Sequence, residues 1–170
     1  MEIIELGCVL ASSKGQVLAE RSFMVRPQHH PVLSAFCQQL TTITQSMVDR
    51  APVYVAAMGE LNSWLSTLPP VDCWASWGNY DRRHLVAQSR REGVSPDVLA
   101  LPHLNLKTLW KRTTGQRKRN GLSWALQYHH LEFEGQLHRG IDDARNMARL
   151  LPFMDWSQTD GATQAVPYAD

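Results

Sequence analysis

The sequence holds little that would staple, anchor or strongly charge the chain. Only three cysteines occur among 170 residues: Cys8, Cys37 and Cys73. They are odd in number, lack CxxC spacing and sit in apolar runs. That excludes a disulfide frame or a cysteine zinc site and suits reduced core thiols. No apolar run approaches the length of a membrane span, and nothing resembles a signal peptide. A soluble, cytoplasmic protein without a membrane partner is therefore expected. Repeats and low-complexity segments are missing too. Net charge is only +1, so any attraction for a polyanion has to be local.

What is present is the make-up of a globular domain, 44% hydrophobic and 19% charged, in a length that suits one sizeable core. Residues 2–10 and 17–25 are rich in β-formers and predict a hairpin turning near Gly15. Short helices are expected over 34–40 and after Thr44, which can cap the second. Residues 53–65 predict an amphipathic helix with Val55, Met58, Leu61 and Leu65 on one face, stopped by Pro69-Pro70. His29 and His30 are adjacent on a loop, point to opposite sides and are not taken as metal ligands. Residues 73–85 read as a strand, a Gly78-Asn79 break and a helix running to about Glu92. A further strand over 103–106 and a helical stretch over 108–113 complete a mixed sheet with helices packed on it. The domain is placed at 1–154, with a polar, aperiodic tail over 155–170.

The chain is organised around residues 138–151, HRGIDDARNMARLL. Ala144, Met147, Ala148 and Leu151 recur at helical spacing and mark a core-facing stripe, with Arg145, Asn146 and Arg149 on other faces. Asp142 or Asp143 can cap this helix after Gly140 and complement its dipole. His138 lies five residues before Asp143, on the approach. A loop imidazole and a first-turn carboxylate can converge on one point; a cap and a surface histidine are the plainer alternative. Asp81 sits near a helix start at the C-terminal end of a strand, where α/β sheets place ligands. Lys107, Lys111, Arg112, Arg117, Lys118 and Arg119 form a run without an acid between Leu106 and Gly121. Such a run is either a solvated loop or a contact to a phosphate backbone, with Lys107, Arg117, Lys118 and Arg119 as the nucleic-acid-binding candidates. Trp74, Trp77 and Tyr80 are flat enough to stack on bases, although the two tryptophans are read as core.

Asp81, His138 and Asp143, in that order and with H-x4-D spacing, resemble the later motifs of the DnaQ-like, DEDDh 3′→5′ exonucleases. Residues 33–52, 74–81, 103–107, 121–126 and 133–151 resemble the Eri-type and KapD-like subgroup, so the likeness covers residues 2 to about 154. It implies an RNase H-like α/β fold, a mixed sheet flanked by helices. The implied activity is metal-dependent 3′→5′ exonuclease on single-stranded or frayed 3′ ends of RNA or DNA. The resemblance also implies Mg²⁺ or Mn²⁺ at a two-metal site, with Asp81 and Asp143 as ligands and His138 as general base. Asp142, about 100° round the helix, is read as a cap.

The family's first motif is a D-x-E pair on a strand ahead of an EIIEIG-like segment. Here EIIELG begins at Glu2, so the first strand is expected to be absent and the metal site incomplete. A late start, a degenerate nuclease or completion by another chain would each account for this. Glu2 and Glu5 match the second strand's own acidic positions and are not promoted to ligands. The alternative function is a nuclease-derived module that binds nucleic acid or protein without cutting.

Overall fold

Two strands separated by a left-handed glycine open the chain. β1 (Glu5–Ala11) and β2 (Val17–Met24) pair antiparallel from Glu5↔Met24 to Ala11↔Val17. Gly15 turns between them at φ 81°, a conformation that penalises any residue with a Cβ. This computed structural model describes residues 1–160 and the backbone of 163 and 164.

Helices α1 (Ala35–Thr41) and α2 (Gln45–Asp49) start where their sequences supply a hydroxyl. Ser34 Oγ accepts from the Cys37 amide at 3.1 Å and Thr44 Oγ1 from the Met47 amide at 3.4 Å. In α3 (Tyr54–Leu65) the buried face is Tyr54, Ala57, Met58 and Leu61, packed on Phe23, Val25 and Leu85. Val55 is 48% exposed, which corrects the predicted stripe. The face is rotated because the Tyr54 hydroxyl reaches inward to Leu85 O (3.3 Å) and Ser89 Oγ (2.8 Å).

β3 (Trp74–Ser76), α4 (Tyr80–Glu92) and β4 (His103–Asn105) form a crossover unit in which the strands pair parallel, Trp74 opposite His103. β5 (Thr163–Gln164) adds antiparallel to β4. Helices α5 (Leu106–Thr113), α6 (Leu122–Tyr128) and α7 (Gly140–Leu150) enclose a second core centred on Leu109, Trp110, Leu126 and Leu150. Trp156 packs on that core and its indole donates to Ser13 O at 3.1 Å. The start of the stretch predicted as a tail is therefore docked on the hairpin. Residues 161, 162 and 165–170 of that stretch lie outside the described residues.

The fold is the expected mixed α/β arrangement, but its strands form two sheets, β1–β2 and β3–β4–β5. Among the described residues no strand joins β1 to β3. Instead a cleft of about 1060 Å³ lies between them, walled by residues 5–13 on one side and 68–77 on the other. Both walls present a strand edge with no ladder partner among the described residues. All three cysteines are free, and burial pushes the Cys8 thiol up to about 12. No helix among the described residues is long and apolar enough to cross a membrane.

Candidate active site

The cleft gathers residues that lie far apart in sequence. Asp81, His138 and Asp143 all line it, together with the Gly121 end of α6.

Asp81 is placed by a tight exit from β3. Gly78, at φ 113°, lets the backbone reverse, and Ser76 Oγ bonds to Gly78 O at 2.8 Å. Asn105 then ties two helix starts together. Its carbonyl oxygen Oδ1 accepts from the Thr108 amide at 3.0 Å, capping α5, while its Nδ2 donates to Asn79 Oδ1 at 3.0 Å, at the head of α4. The Lys107 side chain ends in the space that a Cβ at Gly78 would face, its Nζ 3.7 Å from that position. The cleft walls crowd the Asp81 carboxyl and burial raises its pKa, partly countered by its own backbone amide, His84 and Lys107. The side chain still meets solvent in the cleft.

The second carboxylate is set by the head of α7. Gly7 of β1 crosses this helix so closely that a Cβ there would overlap Gly140 C and Ile141 N. Glu5, with its side chain 3% exposed, locks the same point. Its carboxylate accepts from Arg139 Nε (3.0 Å), Arg139 Nη2 (3.1 Å), the Gly140 amide (2.8 Å) and Ser22 Oγ (2.7 Å). This engagement makes Glu5 a clamp on the head of α7. His138 precedes this lock in a left-handed conformation, φ 69°, unusual for a non-glycine residue. Its amide lies 3.4 Å from Asp143 Oδ1. Burial pushes the Asp143 carboxyl up to about 6; its bond from the His138 amide and the His138 charge oppose the rise, whereas Asp81 and Asp142 add to it. Two carboxylates that repel each other across one cleft are a suitable pair of hard donors for a divalent cation.

Two site expectations are corrected. Neither Asp142 nor Asp143 caps α7: its N-cap is Arg139, without a side-chain cap bond. Asp142 instead accepts from the Gln136 amide (2.9 Å) and Arg145 Nη1 (2.8 Å), stitching the approach loop to the helix. Asn146, expected on an outer face, is fully buried. Its amide donates to Glu134 O (2.7 Å) and Asp142 O (2.8 Å) and accepts from the Glu134 amide (3.1 Å), fixing the loop that delivers His138. The i, i+4 spacing of Asp142, Asn146 and buried Leu150 was the available signal. Glu5 had none, because its partner Arg139 is remote in sequence.

Of the remaining candidates, the aromatics Trp74, Trp77 and Tyr80 line the cleft and the basic run Arg117–Arg119 lies outside its lining. Arg117, Lys118 and Arg119 are exposed on the loop before α6, with no ion-pair partner among the described residues. Trp77 is half-buried against Trp110, and its indole donates to Asn120 O at 3.0 Å, fixing the end of that loop to the cleft wall. Trp74 belongs to the core under α3 and α4, as expected. Tyr80 is 49% exposed beside Asp81. Glu2, His29 and Glu92 also bring ligand atoms within 4.8 Å of one another. Glu2, however, is engaged by the amides of Gln28, His29 and His30 at 2.7–3.0 Å, with Arg91 3.7 Å away, so the group is a loop clasp.

Comparison with known proteins follows this geometry closely. The exonuclease family profile matches residues 1–151. ERI1 exoribonuclease 2 of Xenopus laevis is 32% identical over 88% of this chain and 25% of its own length. The 3'-5' exonuclease eri1 of Schizosaccharomyces pombe is 31% identical over 90% of this chain and 60% of its own. The chain thus spans between a quarter and three fifths of these relatives. The nuclease domain of 3'hExo, a DEDDh family member solved bound to rAMP, superposes with a TM-score of 0.82 at 26% identity, covering 94% of this chain and 83% of that domain.

Proposed function

We propose a function from one premise: this chain belongs to the exonuclease family, in its DnaQ-like, Eri-type 3′→5′ group. On that premise it is a 3′→5′ exonuclease of single-stranded or frayed 3′ ends, with RNA as its substrate. The observation that carries this is the convergence of Asp81, His138 and Asp143 on one cleft from α4, a loop and α7. RNA is favoured over DNA by the relatives named as exoribonucleases.

Asp81 and Asp143 would hold Mg²⁺ or Mn²⁺, which supplies a more acidic water and neutralises charge on the phosphate when bound. His138 takes the proton of the attacking water. The water oxygen bonds to phosphorus, the bond to the 3′-oxygen of the preceding nucleotide breaks, that oxygen takes up a proton from solvent to become the new 3′-hydroxyl, and a mononucleotide leaves with its phosphate. The strained His138 backbone, held between the Asp142 stitch and the Glu5 lock, keeps the imidazole on the approach to Asp143. Lys107, Arg117, Lys118 and Arg119 neutralise the backbone of the strand without reading its sequence.

Asp81 and Asp143 account for part of a two-ion ligand set. The cleft between the edges of β1 and β3 has the place and shape for an extended acidic D-x-E strand that supplies the rest. A second reading, a binding module that does not cut, is favoured by one observation: Glu5, a further carboxylate lining the cleft, is sequestered by Arg139. Release of mononucleotides from a 3′-labelled single strand tests the two readings against each other.

A further inference from the structure

We propose that the partly exposed, mutually stacked rings of Trp124 and Tyr128, following the run Arg117, Lys118 and Arg119, form a stacking platform for a single-stranded RNA leading away from the cleft. The proposal rests on the exonuclease reading for the kind of ligand only. Its geometry is independent.

Helix α6 closes the core with Ala125 and Leu126, both fully buried, and needs no outward aromatic for that purpose. Trp124 and Tyr128 nevertheless lie one helical turn apart on its outer side, each 44% exposed. Their rings stack at 5.7 Å and 25°. Trp110, fully buried, is the base on which they stand: Trp124 meets it edge-on at 5.8 Å and Tyr128 at 5.5 Å. The Trp110 indole donates to His129 Nε2 at 3.0 Å, and His129 stacks on the 40% exposed ring of Phe153 at 4.1 Å. The exposed rings are thus held in fixed orientations, so little rotamer entropy is lost when a flat ligand lands on them.

Position and charge select the occupant. Gly121, Leu122 and Ser123, at the head of α6, line the cleft, and the preceding loop is pinned to its wall through Asn120 and Trp77. The platform therefore begins at the residue after the rim of the site, about 1.5 Å further along the helix axis, with Tyr128 one turn beyond. Three exposed cations without ion-pair partners among the described residues stand at the same end. Flat π-faces beside unpaired cations match alternating bases and phosphates, the combination used to hold single strands without reading sequence. An acidic peptide would satisfy the cations but leave the rings unused.

The test uses the full chain and 5′-labelled oligouridylates of two and twelve residues in EDTA, so that nothing is cut. Binding is followed by anisotropy. W124L and Y128L keep apolar bulk over Trp110 while removing the flat faces; circular dichroism and thermal melting check their fold. The double variant is expected to bind the twelve-mer at least about tenfold more weakly, given ~5- to 100-fold per lost stack, and the dimer unchanged. Equal twelve-mer affinity in the folded double variant and the wild type overturns the proposal, as does an equal loss for dimer and twelve-mer. If the platform binds but no nucleotide is released when metal is added, either to this chain or to one given a D-x-E strand ahead of Glu2, the platform stands and the nuclease reading falls. Release that is equally fast from variant and wild type at both lengths has the opposite meaning.

Discussion

At the scale of single residues, Asp143 carries the sharpest consequence. Its carboxyl, pushed up to about 6 by burial, holds its proton more tightly in the folded chain than in the unfolded one. Ionisation therefore costs folded-state stability as pH rises from about 4 to about 6, and the whole cost is present above that window. Asp143→Asn removes it. The variant is expected to be more stable than the native chain at pH 7.5 by about 1–2 kcal/mol, allowing for solvent screening in the open cleft, and equal to it at pH 3.5. Urea denaturation at both pH values measures the difference; a variant less stable at pH 7.5 would contradict the burial of this charge. A site residue whose removal stabilises the fold is kept for what it binds, since strain at a functional position is offset elsewhere. Here the offset is the Glu5 lock and the Asn146 stitch.

Among the elements, the local ones were legible in the sequence and the long-range ones were not. Ser34 and Thr44 announce their helices because a cap acts over three residues. The hairpin shows through its β-formers and Gly15 for the same reason. Gly78-Asn79 correctly marked the break that aims Asp81 into the cleft. The face of α3 was misread by one position because Tyr54 is turned inward by Ser89, 35 residues away. Likewise Asn146 looks like a surface amide until the 132–137 loop folds over it, and nothing near Glu5 foretells Arg139. The basic loop before α6 is exposed, with Arg117, Lys118 and Arg119 free of ion pairs among the described residues. If it holds backbone phosphates, replacing Arg117, Lys118 and Arg119 by Ala weakens single-strand binding and lowers its salt slope by about 0.7 per lost contact. Titrations at several salt concentrations read this directly; an unchanged slope makes the run a solvated loop.

For the whole molecule, the decisive feature is the cleft between two half-sheets whose facing edges lack ladder partners among the described residues. With Asp81 and Asp143 as the two carboxylates placed at the candidate site, the chain is expected to bind Mg²⁺ or Mn²⁺ weakly. Calorimetry showing two ions bound at micromolar affinity or better would contradict that expectation. Placing a relative's D-x-E strand ahead of Glu2 should fill the cleft, pair both edges and bury apolar surface at roughly 25 cal/mol per Å². Metal affinity and thermal stability should then rise together. The most direct test of the central claim is mononucleotide release from a 3′-labelled single-stranded RNA in Mg²⁺, run on the native chain, the strand-completed chain and variants of the latter. Stepwise loss of 3′ nucleotides is expected from the completed chain, with abolition by Asp143→Asn and a loss of roughly 10²–10⁴-fold on His138→Ala. A completed chain that melts higher, binds metal and releases no nucleotide would contradict it.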